Sequence, residues 1–419
     1  MSHRDAFKRV EESEDYLVDV LRRIIAVDTS VPPGDSYAQL IDVVEPEFHK
    51  LGFSTERVTV PEDKVAEMPW ELSGPRVNLV ARLEVGEERA SAYAHMDVVP
   101  ADGEWTHDPF GGERVDGKLY GRGTVDMKGS IACFLGAMKV LHEMGAPPHW
   151  SVDCLLCTDE ELGVYPGARY LAEEGYFSSH LIWLELGAME PIVVVGAAGS
   201  VRVDVRAVGR SCHSGMNYLG VNAIEELVPV LDELLTLKRE VEQRVSRIPT
   251  FPLPGAPSDK MTPMFNLALV RGGTKENIVP GECELTINRR YIVDERYDDV
   301  VSEIEAAIAR GRARSRLEDL QVRFVHSYPP VEVDPESPAT RKALEAKRAV
   351  KGYPDFIRGG VSGSTDLGFV VEALRPERVQ VAGFAPIRAS DLRAHAVDEF
   401  VYVEDLVDMT KELVHYLGF

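Results

Sequence analysis

Cysteine is scarce in this chain of 419 residues: five are present, an odd number, scattered without a repeating spacing. That excludes a disulfide framework and points to a reduced cytoplasm. The one close pair, Cys154 and Cys157, lies in SVDCLLCTDEE, which reads as a buried strand. Positions three apart on a strand face opposite sides, so the pair reads as core and not as a redox or zinc pair. Long hydrophobic runs are missing too. The longest apolar segments are strand-sized, which predicts no membrane span, and the opening MSHRDAFKRVEESEDYL lacks the apolar stretch of a secretory signal. Positive charge is in deficit, with 46 Lys and Arg against 69 Asp and Glu and a formal net charge of -23. This argues against nucleic acid or an anionic membrane as the main partner. An anionic small substrate stays open, because a metal and a local pair of arginines reverse the field within one cleft.

What is present is an ordinary globular composition, 44% hydrophobic and 27% charged, at a length that predicts two domains. Helical spacing of apolar residues predicts helices over about 14–28 and 38–52, and another from about Lys128 to Met144 closed by Gly145. Strand-like runs are RVNLVARLEV, SAYAHMDVV, SVDCLLCT and LIWLEL. Strands interleaved with helices argue for an α/β sheet covered on both faces. After IVVVGAAGSVRVDVRAVG the texture changes. A helix from about Gly220 to Arg247, a Pro-rich loop (IPTFPLPGAP), the strands MFNLALVRGG and GECELTINRRYIV, a helix VVSEIEAAIARGRA and a strand LQVRFVHS describe a small α+β layer. The α/β pattern resumes near Pro338 and ends in the helix VEDLVDMTKELVHYL. The expected division is therefore 1–197 and 329–419 around an insertion at 198–328.

Candidate chemistry gathers at predicted strand ends. His95 and Asp97 stand two apart on a strand and leave the same face. An imidazole can bind a metal through one nitrogen while the other donates to a carboxylate that fixes its tautomer; a merely polar strand end gives the same pattern. Asp126 follows Gly121 and Gly123 and precedes Gly129. Such glycines permit close approach where a short carboxylate is aimed into a cleft, although a helix N-cap reads equally there. Glu160 and Glu161 are adjacent, and burial of both is costly unless a cation is present or one is protonated. Glu185 ends an apolar run where a carboxylate needs a partner, and His395 stands late in the chain in LRAHAVDEF. Ends of successive strands are where open α/β sheets place ligands. Imidazole and carboxylate without thiolate suit zinc, cobalt or manganese.

These residues sit in HMDVVP, WTHDPFGGERVDGKLYGRGTVDMKG, TDEELG, GRSCHSG, NIVP and SGSTD, in that order, with His395 near the C-terminus. In them the chain resembles the metallohydrolase (metallopeptidase) family of acetylornithine deacetylase, succinyl-diaminopimelate desuccinylase, aminoacylase-1 and carboxypeptidase G. The resemblance spans almost the whole chain and is most specific from His95 to Gly129. It implies an α/β, mixed-sheet, zinc-exopeptidase-like catalytic domain with an inserted α+β lid and dimerisation domain. It implies two divalent ions, Zn2+ or alternatively Co2+ or Mn2+, held by His95, Asp126, Glu161, Glu185 and His395. Asp126 would bridge, and Glu161 and His395 would share one ion. Glu160 would be the general base, Asp97 would orient His95, and the peptide after Asp126 would be cis. His213 would reach the active site of the partner subunit in a homodimer and polarise the scissile carbonyl. Asn277, Arg290 and the loop Gly363 to Asp366, with Gly363 and Ser364, would receive a substrate carboxylate; Arg289 is the alternative to Arg290. Two departures stand out: LELGA around Glu185, and Asn288 where relatives often carry Asp.

The expected function is metal-dependent hydrolysis of an amide C–N bond in an N-acyl amino acid or small peptide. The alternative is hydrolysis of an unusual C–N bond, an aryl amine or a carbamoyl group, on the same site. A catalytically silent metal-binding or peptide-binding relative is disfavoured, since such proteins lose the base or a ligand and here all six positions are filled.

Overall fold

The computed structural model describes residues 2–66, 68–251, 257–375 and 379–419. Of the Pro-rich stretch expected at 248–257, residues 252–256 lie outside the described residues. The chain forms two compact units. One comprises residues through Val195 with Val333–Arg358 and Phe369–Phe419; the other comprises Gly196–Glu332 with Gly359–Gly368.

In the first unit a six-stranded sheet runs in the order Ser54–Thr59, Val77–Leu83, Ser151–Cys157, Arg89–His95, His180–Trp183 and Gln380–Gly383. Val77–Leu83 pairs antiparallel with both neighbours, and the remaining pairings are parallel, so the sheet is mixed. Parallel strands covered on both faces need continuous apolar runs, and Ser151–Cys157 is buried at every position. Cys154 and Cys157 are free thiols inside it. Tyr93 and Trp183 on adjacent strands stack with ring centroids 3.7 Å apart.

The helix Lys128–Glu143 packs against Glu14–Ile25 and the C-terminal helix Val403–Gly418. Glu14–Ile25 buries Leu17, Leu21, Ile24 and Ile25, the face that the 3.6-residue period predicts. A further helix, His3–Glu11, has few apolar residues to announce it. It starts instead from a capping box, in which Ser2 Oγ accepts from the Asp5 N–H and the Asp5 carboxylate accepts from the Ser2 N–H.

The second unit is a four-stranded antiparallel sheet in the order Met264–Gly272, Glu282–Tyr291, Gly199–Val208 and Asp319–Tyr328. Period-2 burial turns Val201, Val203, Val205 and Ala207 inward, onto the helices Ala223–Val241 and Tyr297–Arg312. The first helix starts later than the apolar run suggests, because Asn222 caps it, and ends at Val241. Its Oδ1 accepts from the N–H groups of Ile224 and Glu225 at 3.1 and 3.4 Å.

Gly129, in the first turn of Lys128–Glu143, is the tightest link between helix and site. A Cβ there would lie 2.2 Å from the carbonyl oxygen of Thr124, in the turn that carries Asp126. Backbone cannot swing away as a side chain can, so Gly129→Ala should lower unfolding free energy by roughly 1–3 kcal/mol. Urea denaturation reads this directly, and wild-type stability in that variant would contradict the close approach.

Candidate metal centre

Three parallel strands of the first unit deliver the site. His95 is the last residue of Arg89–His95, Glu160 and Glu161 form a short 3-10 turn after Ser151–Cys157, and Glu185 follows His180–Trp183. Asp126 comes from the connection into Lys128–Glu143, and His395 from the irregular chain before Phe400–Tyr402.

Asp126 turns one oxygen to each of two histidines. Its Oδ1 lies 3.1 Å from His95 Nε2 and its Oδ2 lies 3.3 Å from His395 Nε2. His395 Nε2 is also 3.0 Å from Glu161 Oε1. Donor atoms of His95, Asp126 and Glu185 all fall within 4.8 Å of one another, as do those of Asp126, Glu161 and His395. Two donor groups thus share one carboxylate. The reading of Asp126 as a helix cap fails, since Met127 occupies the cap position and no side chain caps that helix. The Asp126–Met127 peptide is cis, as the resemblance implies. Glu160 is buried, and one of its oxygens comes within 4.8 Å of a Glu185 oxygen.

Asp97 meets His95 differently from the expectation. His95 Nδ1 donates to the backbone carbonyl of Asp97 at 3.0 Å, while the carboxylate stands 3.7 Å away. The strand ends at His95, so strict alternation no longer governs Asp97. The tautomer is fixed all the same: a carbonyl only accepts, so Nδ1 carries hydrogen and the neutral ring offers its Nε2 lone pair to the cluster. The Asp97 carboxylate instead accepts the Glu161 N–H at 2.9 Å and ties the two segments together.

The electrostatics call for a cation. Burial, then the charge of Asp126, pushes Glu161 up to about 7. Hydrogen bonds to Asp126 and Glu161 raise His395 to about 10. Burial works against charging His95, yet its hydrogen bond to Asp126 and the surrounding carboxylates hold it well above the usual imidazole range. Burial likewise opposes ionisation of Asp126, and the two histidines overcome it and hold that carboxyl well below the usual range. Protonated rings supply the positive charge that these acids demand, and a divalent ion bound to the ring lone pairs would supply it better. With imidazole nitrogen and carboxylate oxygen as donors, the residues fit such an ion.

Three further residues brace the turn of Glu160 and Glu161. Asp159 adopts a left-handed backbone (φ +62°) and is fully buried; its carboxylate accepts from the Tyr37 hydroxyl at 2.9 Å and faces Arg76 Nε at 3.3 Å. Arg76 reaches on to the carbonyls of Gly34 and Pro33 at 2.6 and 2.7 Å. The signal for Asp159 is the first of the three acids of TDEELG. Behind Asp126 lies a buried pair, Arg122 and Glu399, 2.5 Å apart, whose signal is the acid four residues after His395.

The second unit carries the other expected residues. His213 is exposed, and its Nδ1 accepts the Gly215 N–H at 3.0 Å. Asn277 lies beside it, its carbonyl accepting the Ser214 N–H at 3.0 Å. Arg290 donates to Ser364 Oγ at 2.5 Å, while Ser364 Oγ donates to the Ala198 carbonyl and the Gly363 carbonyl accepts the Ala198 N–H. Arg289 faces the core instead, fully buried and 2.5 Å from Glu295.

Residues 92–418 match the family model described as peptidase family M20/M25/M40. The chain is 27% identical to N-formyl-4-amino-5-aminomethyl-2-methylpyrimidine deformylase of Bacillus subtilis (strain 168), covering 98% of this chain and 96% of that protein. It is 30% identical to a probable succinyl-diaminopimelate desuccinylase of Staphylococcus epidermidis, covering 78% and 82%. Among solved structures, human carnosine dipeptidase 1 shares the fold with a TM-score of 0.78 at 18% identity, covering 99% and 98%.

Protonated His95 and His395 must give up their protons to donate lone pairs. Uptake of Zn2+ should therefore release protons at pH 7, and apparent affinity should tighten as pH rises from about 6 to about 8. Calorimetry in buffers of different ionisation heat measures the release; proton-neutral uptake would contradict the arrangement.

Proposed function

The chain belongs to peptidase family M20/M25/M40, and from that premise we propose that it hydrolyses the amide C–N bond of N-acyl amino acids or small peptides. The observation that carries this reading is Asp126, with one oxygen toward His95 and the other toward His395. His95 and Glu185 would hold one ion, Glu161 and His395 a second, with Asp126 shared; Zn2+ is the proposed metal. Two such ions, when bound, acidify a water and polarise a carbonyl. The Glu160 carboxylate takes the water's proton and passes it to the leaving nitrogen. Asp97 holds the tautomer of His95 through its carbonyl and the Glu161 backbone through its carboxylate. Arg290, with Asn277, Gly363 and Ser364, receives a substrate carboxylate, for which a guanidinium provides paired donors.

His213 polarises the scissile carbonyl of the partner subunit's substrate in a homodimer formed through the second unit. Support for that assembly lies on one helix and one edge strand. Ile224, Val228 and Leu235 are exposed at helical spacing on Ala223–Val241, and Leu269 and Val270 are 48% and 57% exposed on Met264–Gly272 at the sheet edge. Open edges invite pairing. Five free cysteines, four of them buried, fit a reducing cytoplasm. Among the described residues no helix is long and apolar enough to cross a membrane.

A second reading keeps the same residues and changes the bond, to an aryl-amine or carbamoyl C–N. The relative named as a pyrimidine deformylase acts on an N-formyl group, itself an amide, and so supports the first reading with a leaving amine that is not an amino acid.

Glu160→Gln should keep fold and Zn2+ content and lose turnover by about 10²-fold or more. Metal analysis with steady-state rates over N-acetyl, N-succinyl, N-formyl, peptide and aryl-amine substrates tests both readings, and near-normal turnover would remove Glu160 as base. For the assembly, Val228→Glu combined with Val270→Glu should yield a monomer by light scattering with sharply reduced kcat; a fully active monomer would remove His213 from the chemistry.

A further inference from the structure

We infer that the buried ion pair of Arg122 and Glu399 is a positioning clamp that sets where Asp126 and His395 meet, and thereby governs retention of the ion those two residues share. The inference rests on their reading as metal ligands. His395 needs such a device. Between the strand Gln380–Gly383 and Phe400 the chain has one short 3-10 turn, Ala389–Asp391, so no sheet ladder or helix fixes the residue. Its backbone is left-handed (φ +63°), a conformation that costs a non-glycine residue and persists only where surroundings hold it. Asp126 likewise comes from a turn.

The pair reaches both. One oxygen of Glu399 accepts the N–H groups of Val125 and Asp126 at 3.0 and 3.4 Å. The other lies 2.5 Å from Arg122 Nη1. Arg122 donates onward to the carbonyls of Ala396 at 3.3 Å and His395 at 3.4 Å, and to that of Pro100 at 3.4 Å. Both side chains are nearly excluded from solvent, at 2% and 0% exposure. One residue further back, Asp398 accepts the N–H groups of Thr106 and His107 at 2.8 and 3.1 Å, which anchors the same loop a second time.

A buried ion pair is a weak device for stability, since apolar residues of similar volume often serve the fold as well. What apolar residues cannot do is bind the main chain on both sides at once. Here one carboxylate holds the amides at Asp126 and one guanidinium fork holds the carbonyls at His395, locked to each other. Loosening the pair frees the two ligands from a common frame, and the loss falls on the ion they share with Glu161 more than on the one facing His95.

The test titrates Zn2+ alone, by competition with a chromogenic chelator, into ion-free wild type, Arg122→Lys, and the double variant Arg122→Met with Glu399→Gln. The double variant leaves no lone charge buried, so its ion-free melting temperature should stay within a few degrees of wild type. The Zn2+ equivalent that His395→Ala weakens should lose about tenfold or more in affinity, which corresponds to about 1.4 kcal/mol, while the other equivalent changes less. Arg122→Lys keeps the charge without the fork and should fall between, with shifted visible bands in its Co2+ form. Wild-type affinity at both equivalents in the double variant, or an affinity loss that only tracks a fallen melting temperature, would overturn the clamp. His395→Ala is the control: if it keeps both ions at full affinity, the ligand assignment falls and the clamp falls with it, whereas weakened binding in this control and unchanged binding in the clamp variants refutes the clamp alone.

Discussion

Carboxylates drawn together away from water repel one another, and the first unit is organised around containing that repulsion. Two like charges about 4 Å apart cost about 4 kcal/mol at the effective dielectric of a protein surface. Asp126, Glu160, Glu161 and Glu185 converge at that scale with two imidazoles between them. The rise of Glu161 to about 7 and of His395 to about 10 are two faces of the same field: acids resist losing protons and rings refuse to give them up. A site under such tension favours a divalent cation for reasons that precede any knowledge of its reaction.

Holding the cluster in place requires ties outside it, and these follow a common plan. The turns that carry Glu161 and Asp126 have buried acids behind them, bonded to backbone amides, an arginine or a hydroxyl. Asp97 accepts the Glu161 amide, Asp159 meets Tyr37 and Arg76, and Glu399 holds the Asp126 amide and Arg122. Burial raises all three carboxyls, Asp159 to about 7. Specific donors work against that rise, so these acids are directional struts and not a diffuse negative background. The strand-borne His95 needs the least of this support, because a sheet ladder already fixes its main chain.

What the sequence disclosed and what it concealed divide by range. Strand-end candidates such as His95 and the Glu160–Glu161 pair are local patterns, readable from alternation and from turn residues. The mixed sheet and the α+β layer follow from apolar periodicity of the same local kind. Arg122 and Glu399 are 277 positions apart, and Tyr37 and Asp159 are 122 apart; no window of sequence contains both members of either pair. Asp97 escapes for a different reason, since the strand stops at His95 and the two-residue rule stops with it. One ambiguity was resolvable by parity. In ECELTINRRY the apolar Cys283, Leu285 and Ile287 mark the inward positions, and Arg289 continues that series while Arg290 does not.

That parity bears on how an acidic protein would favour the carboxylate-bearing substrate proposed for it. Neighbouring arginines on one strand meet opposite fates: Arg289 is consumed inside by Glu295 and Glu303, and Arg290 stands on the other face of the sheet against a serine hydroxyl. A net charge of -23 is distributed over the whole surface and screened within about 8 Å at physiological salt. A carboxylate at hydrogen-bond distance from Arg290 therefore responds to the guanidinium it touches and hardly to the distant acids. The hydrolytic group of residues reads only a carbonyl and its C–N bond, which leaves the discrimination between an N-acyl amino acid and a neutral amide to contacts of this kind. A carboxylate matched by a paired donor separates the two more sharply than a methylene in an apolar pocket, whose contribution is about 1–3 kcal/mol.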